Sequence, residues 1–173
     1  PSDRLLEIGT GWGALAVHAA RRYGCRVTTT TISREQHKLA VERVRAAGLE
    51  ARVEVLLSDY RDLRGRYDKI VSIEMIEAVG HEFLGDYFGA CGRLLADDGM
   101  LLVQGITMGE DRYDAYRRSP DFIQRYVFPG SCLTSVTAMT AAAGRSSNLR
   151  PAHLEDLTPH YAETLRRWRA AFF

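Results

Sequence analysis

A chain of 173 residues with 46% hydrophobic residues, 26% charged residues and a formal net charge of +1 is sized and balanced for one globular domain with a real core. Near-neutral charge argues against a nucleic-acid partner, and no apolar run approaches the ~18 residues of a membrane span or the basic-then-apolar start of a signal peptide, so the expected location is the cytoplasm. The three cysteines, Cys25, Cys91 and Cys132, are scattered without C-x-x-C spacing, which predicts reduced, packed thiols and no metal site. Both ends read as cut: a strand begins within a few residues of Pro1, and a helical pattern is still running at Phe173. The expectation is a single domain over 1–173 belonging to a longer chain.

The first element carries the strongest signal. Leu5-Leu6-Glu7-Ile8 is a short apolar run broken by one acid, glycines follow at Gly9, Gly11 and Gly13, and an Ala-rich periodic run begins at Ala14. That order predicts a buried strand, a tight turn and a helix start, the corner on which nucleotide-type ligands sit against the backbone. The helix closes near Tyr23-Gly24 with Arg21 and Arg22 in its last turn. Residues 25–32, rich in threonine, predict a second strand. Ser33 then caps a helix over 34–47, with Gln36 placed to complete a capping box. Strands follow at 53–57 and 67–73, delivering Ser58-Asp59-Tyr60 and Glu74-Met75-Ile76-Glu77 at their ends. A helix over 83–95 stops at Asp97-Asp98-Gly99, before a fifth strand over 100–106. Strands alternating with helices at these intervals predict a doubly wound, mainly parallel α/β sheet with ligands at the carboxyl ends of its strands. The pattern then changes. Residues 108–134 read as an insertion over the sheet, 135–144 as a helix, 149–157 as a further edge strand and 161–173 as a last helix.

The glycine spacing decides between ligands. A dinucleotide fingerprint requires G-x-G-x-x-G, and here the third-glycine position is Ala14. Glu7 followed by Gly9-x-Gly11-x-Gly13 instead resembles motif I of the S-adenosylmethionine (SAM) methyltransferases. Taken with Thr31-Ile32-Ser33-x-x-Gln36, Asp59-Tyr60-Arg61-Asp62, Ser72-Ile73-Glu74-Met75-x-Glu77-x-Val79-Gly80, Phe122-Ile123-x-x-Tyr126-x-Phe128-Pro129-Gly130 and His160-Tyr161-x-x-Thr164-Leu165, the chain resembles the cyclopropane fatty acid and mycolic acid cyclopropane synthase family. The resemblance spans nearly all of the chain. It implies a Rossmann-like class I SAM-dependent methyltransferase fold whose insertion at about 108–134 binds an acyl chain.

It also implies a reaction. A methyl group passes from SAM to the double bond of an unsaturated acyl chain, and proton loss closes a cyclopropane. An alkene is a feeble nucleophile, so such a site must align it, exclude water and stabilise the cation left by attack. By resemblance, SAM is held by Glu7, Gly9 and Gly11 at its methionine end, by Thr31, Ile32 and Gln36 on the ribose side, and by Asp59 at the adenine amine. In the family the base is a bound bicarbonate, whose surroundings here would be Glu77, the backbone at Ile106, and Tyr161. Gln104 stands where many members have His, and Ala78 where a His is common. Gln104 still offers an amide donor to an anion but carries no titrating proton at neutral pH. The family's cysteine near bicarbonate lies upstream of the glycine motif, and none of the three cysteines here matches it.

Each residue also has a plainer reading. Glu77 fits a solvated helix start, Gln104 a side chain satisfying backbone, Tyr161 a core tyrosine, and Phe122, Tyr126 and Phe128 plain core instead of a tunnel wall. Trp12 fits packing as well as ligand contact. The acceptor expected from the resemblance is an unsaturated, phospholipid-bound acyl chain reached by transient contact with the inner membrane face, with a homodimer as a candidate assembly. The alternatives are a fatty acyl C-methyltransferase giving a branched product, and a catalytically silent SAM-binding, lipid-associated protein.

Overall fold

The computed structural model describes residues 2–173. Its strands are β1 (Arg4–Ile8), β2 (Arg26–Thr31), β3 (Val53–Leu57), β4 (Tyr67–Ile73) and β5 (Leu95–Gln104). Its helices are α1 (Ala14–Tyr23), α2 (Arg34–Ala46), α3 (Leu84–Leu94), α4 (Glu110–Tyr116), α5 (Phe122–Tyr126), α6 (Val136–Ser146) and α7 (Thr158–Phe172). The strands form one parallel sheet in the order β3-β2-β1-β4-β5.

Period-two alternation on β1 settles how the sheet is covered. Leu6 and Ile8 enter a core with Ile70, Leu84, Tyr87, Phe88, Cys91 and Leu94, roofed by α3 and by Ala142 and Ala143 of α6. Leu5 faces the other way, where Val27 and Val53 meet the small residues Ala16, Ala19 and Ala20 of α1 and Val44 of α2. The sheet is therefore doubly wound, as the sequence predicts. Chain order reverses between β1 and β4, so their carboxyl ends open a crevice where ligands of such sheets bind.

Four expectations need correction. Residues 149–157 form no strand: Pro151 has no N–H to give a ladder, and residues 150–157 lie exposed. The strand expected from residue 100 begins at Leu95. Tyr67 pairs with Leu95 and Lys69 already with Met100, so Asp97-Asp98-Gly99 is a bulge within β5, not a turn before it. At α2, Ser33 accepts from the Gln36 N–H (3.3 Å), but the Gln36 side chain bonds Thr31 and leaves the capping box half made. The complete box lies at α5, where Asp121 and Gln124 cap each other reciprocally. Finally, Phe122, Tyr126 and Phe128 are 68%, 71% and 63% exposed, so the insertion's aromatics are not core within the described residues.

Candidate active site

The turn after β1 is held from two sides. The N–H groups of Gly9 and Thr10 both donate to the Thr30 carbonyl, at 3.1 and 3.0 Å, and an Arg43 guanidinium N–H donates to the Trp12 carbonyl at 2.9 Å. Gly9 has φ +98°, and a Cβ there would lie 3.0 Å from Cγ of Met75, so the β4 loop packs directly onto the turn. At Gly13 (φ +82°) a Cβ would stand 3.0 Å from Cβ of Ala40, where α2 crosses the start of α1. Around Gly11 an added Cβ meets nothing within 4 Å, which leaves open space against the backbone at the crevice. Trp12 is 52% exposed and does not pack in the core.

Glu7 lies beneath this turn, 4% exposed. In the parallel register it sits beside Thr29, whose hydroxyl donates to a Glu7 carboxylate oxygen at 2.7 Å, and Thr10 Oγ1 lies 2.7 Å from the same hydroxyl. Burial pushes the Glu7 carboxyl up to about 7, the Thr29 hydrogen bond opposing it. Thr29 and Thr10 went unnoticed in the sequence; period-two alternation along the threonine run would have placed Thr29 beside Glu7.

At the end of β2 the Thr31 hydroxyl donates to Gln36 Oε1 (2.8 Å) and accepts from the Ser33 N–H (3.1 Å). Thr31, Gln36 and the 77% exposed side chain of Ile32 are thus brought together on one rim. Asp59, expected at the adenine amine, is paired with Arg61. Its two oxygens accept from Arg61 Nε (3.0 Å) and a terminal nitrogen (2.7 Å), and hydrogen bonding by Arg61 holds its carboxyl below the usual carboxylate range.

The ends of β4 and β5 form the opposite rim. Glu77 Oε1 accepts from the Ile106 N–H at 2.6 Å, while the Glu77 carbonyl accepts from Cys132 N–H at 2.8 Å and ties the insertion to this turn. Glu77 Oε2 is buried without a partner among the described residues. Burial raises the Glu77 carboxyl, and the charge of Glu74 adds to the effect. Gly105 must be small here: a Cβ would lie 2.6 Å from Cγ2 of Ile76 and 2.9 Å from Glu77 Oε1. Gln104 faces Glu74, donating from Nε2 to its Oε1 at 3.1 Å. Tyr161 is 44% exposed on α7 and lies outside the core of the described residues, among which no hydrogen bond joins its hydroxyl to Glu77 or Gln104. Glu77 and the Ile106 backbone are therefore brought together, whereas Gln104 is paired with a residue that sequence reasoning passed over.

The whole chain, residues 1–173, matches the family model of mycolic acid cyclopropane synthetase. The chain belongs to that family. It is 48% identical over 170 residues to the tuberculostearic acid methyltransferase UfaA1 of Mycobacterium tuberculosis, covering 98% of this chain and 40% of that one. Against the cyclopropane-fatty-acyl-phospholipid synthase of Escherichia coli K12 the identity is 37% over 172 residues, covering 99% and 42%. The fold is that of the mycolic acid cyclopropane synthase CmaA1 solved with SAH and CTAB, with a TM-score of 0.89 at 30% identity over 99% of this chain and 63% of that one. MmaA2 of Mycobacterium tuberculosis gives 0.87 at 27% identity. The chain thus spans about 40% of the length of these curated relatives and 63% of the solved chains. No helix among the described residues is long and apolar enough to cross a membrane.

Proposed function

We propose that this domain belongs to an enzyme that transfers a methyl group from SAM to the double bond of an unsaturated fatty acyl chain. The observation that carries the reading is the pairing of two rims across the β1–β4 crevice: a glycine turn with open space at Gly11 on one side, and Glu77 locked to the Ile106 N–H on the other. The cofactor supplies an electrophilic sulfonium methyl, and bicarbonate, by family resemblance, supplies a base. Residues fit both. Gly9 and Gly11 let a ligand lie against the backbone above Glu7, and Thr31, Ile32 and Gln36 offer hydroxyl, apolar and amide contacts to a ribose. Asp59 keeps lone pairs beside Arg61 for an amine donor. The unpartnered Oε2 of Glu77 suits the hydroxyl of a bicarbonate, and Tyr161 would approach from α7.

The exposed Phe122, Tyr126 and Phe128 support an acyl chain over a small polar acceptor, their rings offering apolar surface on the insertion that Cys132 ties to the Glu77 turn. A phospholipid-bound chain would bring the protein transiently to a membrane surface, and a homodimer is one arrangement in which it would do so. Cyclopropane formation is the reading the family name favours. A methyl- or methylene-branched product is the second reading, supported by 48% identity to a tuberculostearic acid methyltransferase against 37% to a cyclopropane synthase.

Lipid mass spectrometry of a host expressing the full-length protein tests the proposal: unsaturated chains gain ~14 Da. SAM binding with an unmodified lipid pool would establish the silent alternative instead. Within an active enzyme, Glu77→Gln lowers turnover by about 100-fold while SAH affinity, read by calorimetry, stays within about threefold, because the carboxylate acts on the base and on charge that develops after binding. Unchanged turnover in that variant removes Glu77 from the chemistry.

A further inference from the structure

Glu74 is the one non-glycine residue with positive φ among those described, at +51°. A side chain in that region is strained and persists only where its surroundings hold it, and such residues gather at functional sites. Here the hold comes from Gln104 twice: the Glu74 N–H donates to the Gln104 carbonyl at 2.9 Å, and Gln104 Nε2 donates to Glu74 Oε1 at 3.1 Å. The pair sits at the carboxyl ends of β4 and β5, on the crevice, and the next residue, Met75, packs on the glycine turn. Glu74 is exposed there, at the carboxyl-end rim of the sheet where the crevice opens.

Resting on the function proposed above, we infer that Glu74, fixed by Gln104, determines the fate of the substrate cation and favours the branched product over the cyclopropane. Methyl transfer breaks the S–CH3 bond, forms a C–C bond at one alkene carbon and leaves the positive charge on its neighbour. If a base takes a proton from the new methyl group at once, that C–H electron pair closes the ring. If a hydride first moves from the methyl-bearing carbon to the cationic carbon, the charge moves to the methyl-bearing carbon, and loss of a methyl proton leaves a C=CH2 branch on the open chain. The two products are isomers, and neither route needs an oxidant or reductant. A fixed carboxylate beside the cation stabilises it and lengthens its life, which gives the hydride shift time to compete. Glu77, tied to the Ile106 N–H, stays with the base.

The test uses the full-length enzyme with an oleoyl phospholipid, resolving ring and methylene products by gas chromatography and mass spectrometry. Glu74→Gln keeps the side chain's shape and removes its charge; Glu74→Gly removes the carboxylate and suits the left-handed backbone, so loss of folding is not its expected effect. In both, the methylene-to-cyclopropane ratio falls at least fivefold, with SAH affinity within about threefold of wild type. Gln104→Ala, which releases Glu74, shifts the ratio in the same direction. An unchanged ratio, a wild type that makes only cyclopropane, or variants that lose all turnover while still folded and binding SAH would each overturn the inference and leave the proposed function standing. Wild-type enzyme that binds SAM and alters no acyl chain would overturn both.

Discussion

Glu7 owes its proton affinity to an accident of strand register that became a structural commitment. Parallel pairing of β1 with β2 sets it beside Thr29 under the glycine turn, where one hydroxyl donor does not replace the water that burial removes. Its carboxyl is raised from 4.5 to about 7, so folding favours the protonated form. The sign follows directly: the contribution to stability is present in full below pH 4.5, falls as pH climbs towards 7 and is gone above it. The difference corresponds to about 3 kcal/mol. Glu7→Gln therefore gains stability on wild type at pH 8.5 and little at pH 4.5, read from urea midpoints at the two values. Identical pH slopes in the two proteins would locate the buried charge elsewhere. The glycines of the turn act at the same scale. Packing alone already requires Gly9 and Gly13 to be small, because Met75 and Ala40 occupy the space a Cβ would take.

At the scale of elements, helix starts show how one side chain is contested by two structures. A serine followed three residues later by glutamine reads as a capping box at α2, yet Gln36 is drawn instead to Thr31 at the end of β2. The helix keeps only the Ser33 oxygen as its cap. Ser33→Ala is expected to destabilise the domain by about 1 kcal/mol in chemical denaturation, since the Gln36 N–H loses its acceptor. A cost near zero would mean that water serves the cap equally well. The bulge in β5 has a comparable lesson. Asp97-Asp98-Gly99 is a turn signal by composition, but Leu95 already pairs with Tyr67, and the strand resumes at Met100 after the bulge. Local turn chemistry marked where the chain leaves its ladder, without revealing that the ladder exists on both sides.

Over the whole molecule, burial is concentrated on the sheet, α1, α2, α3 and α6, while α7 buries no residue and α5 presents Phe122, Ile123 and Tyr126 to solvent. Tyr161, Leu165, Trp168 and Phe172 form an apolar stripe on α7, flanked by Arg166 and Arg167, which both pair with Glu163. Few buried contacts mean low local opening energies. Hydrogen exchange of this domain is therefore expected to proceed about a thousandfold faster in α5 and α7 than in β1 and β4, resolved by peptide mass spectrometry. Comparable protection throughout would contradict this division of stability.

What the sequence by itself determined is the architecture and the family. Hydrophobic periodicity, the Gly9-x-Gly11-x-Gly13 spacing and the caps act over a few neighbouring residues, so all five strands, the doubly wound class of sheet and the family resemblance could be read locally. The absent strand at 149–157 failed because a strand exists only where an edge is offered to it, and no local pattern states that. The pairing of Glu77 with the Ile106 N–H joins residues 29 apart, and that of Gln104 with Glu74 joins residues 30 apart. Family resemblance already set Glu77 near the Ile106 backbone, but only the tertiary structure showed their hydrogen bond and paired Gln104 with Glu74. Hydrogen-bond partners and the left-handed backbone of Glu74 depend on where β5 lies beside β4, a matter of register between strands distant in the chain.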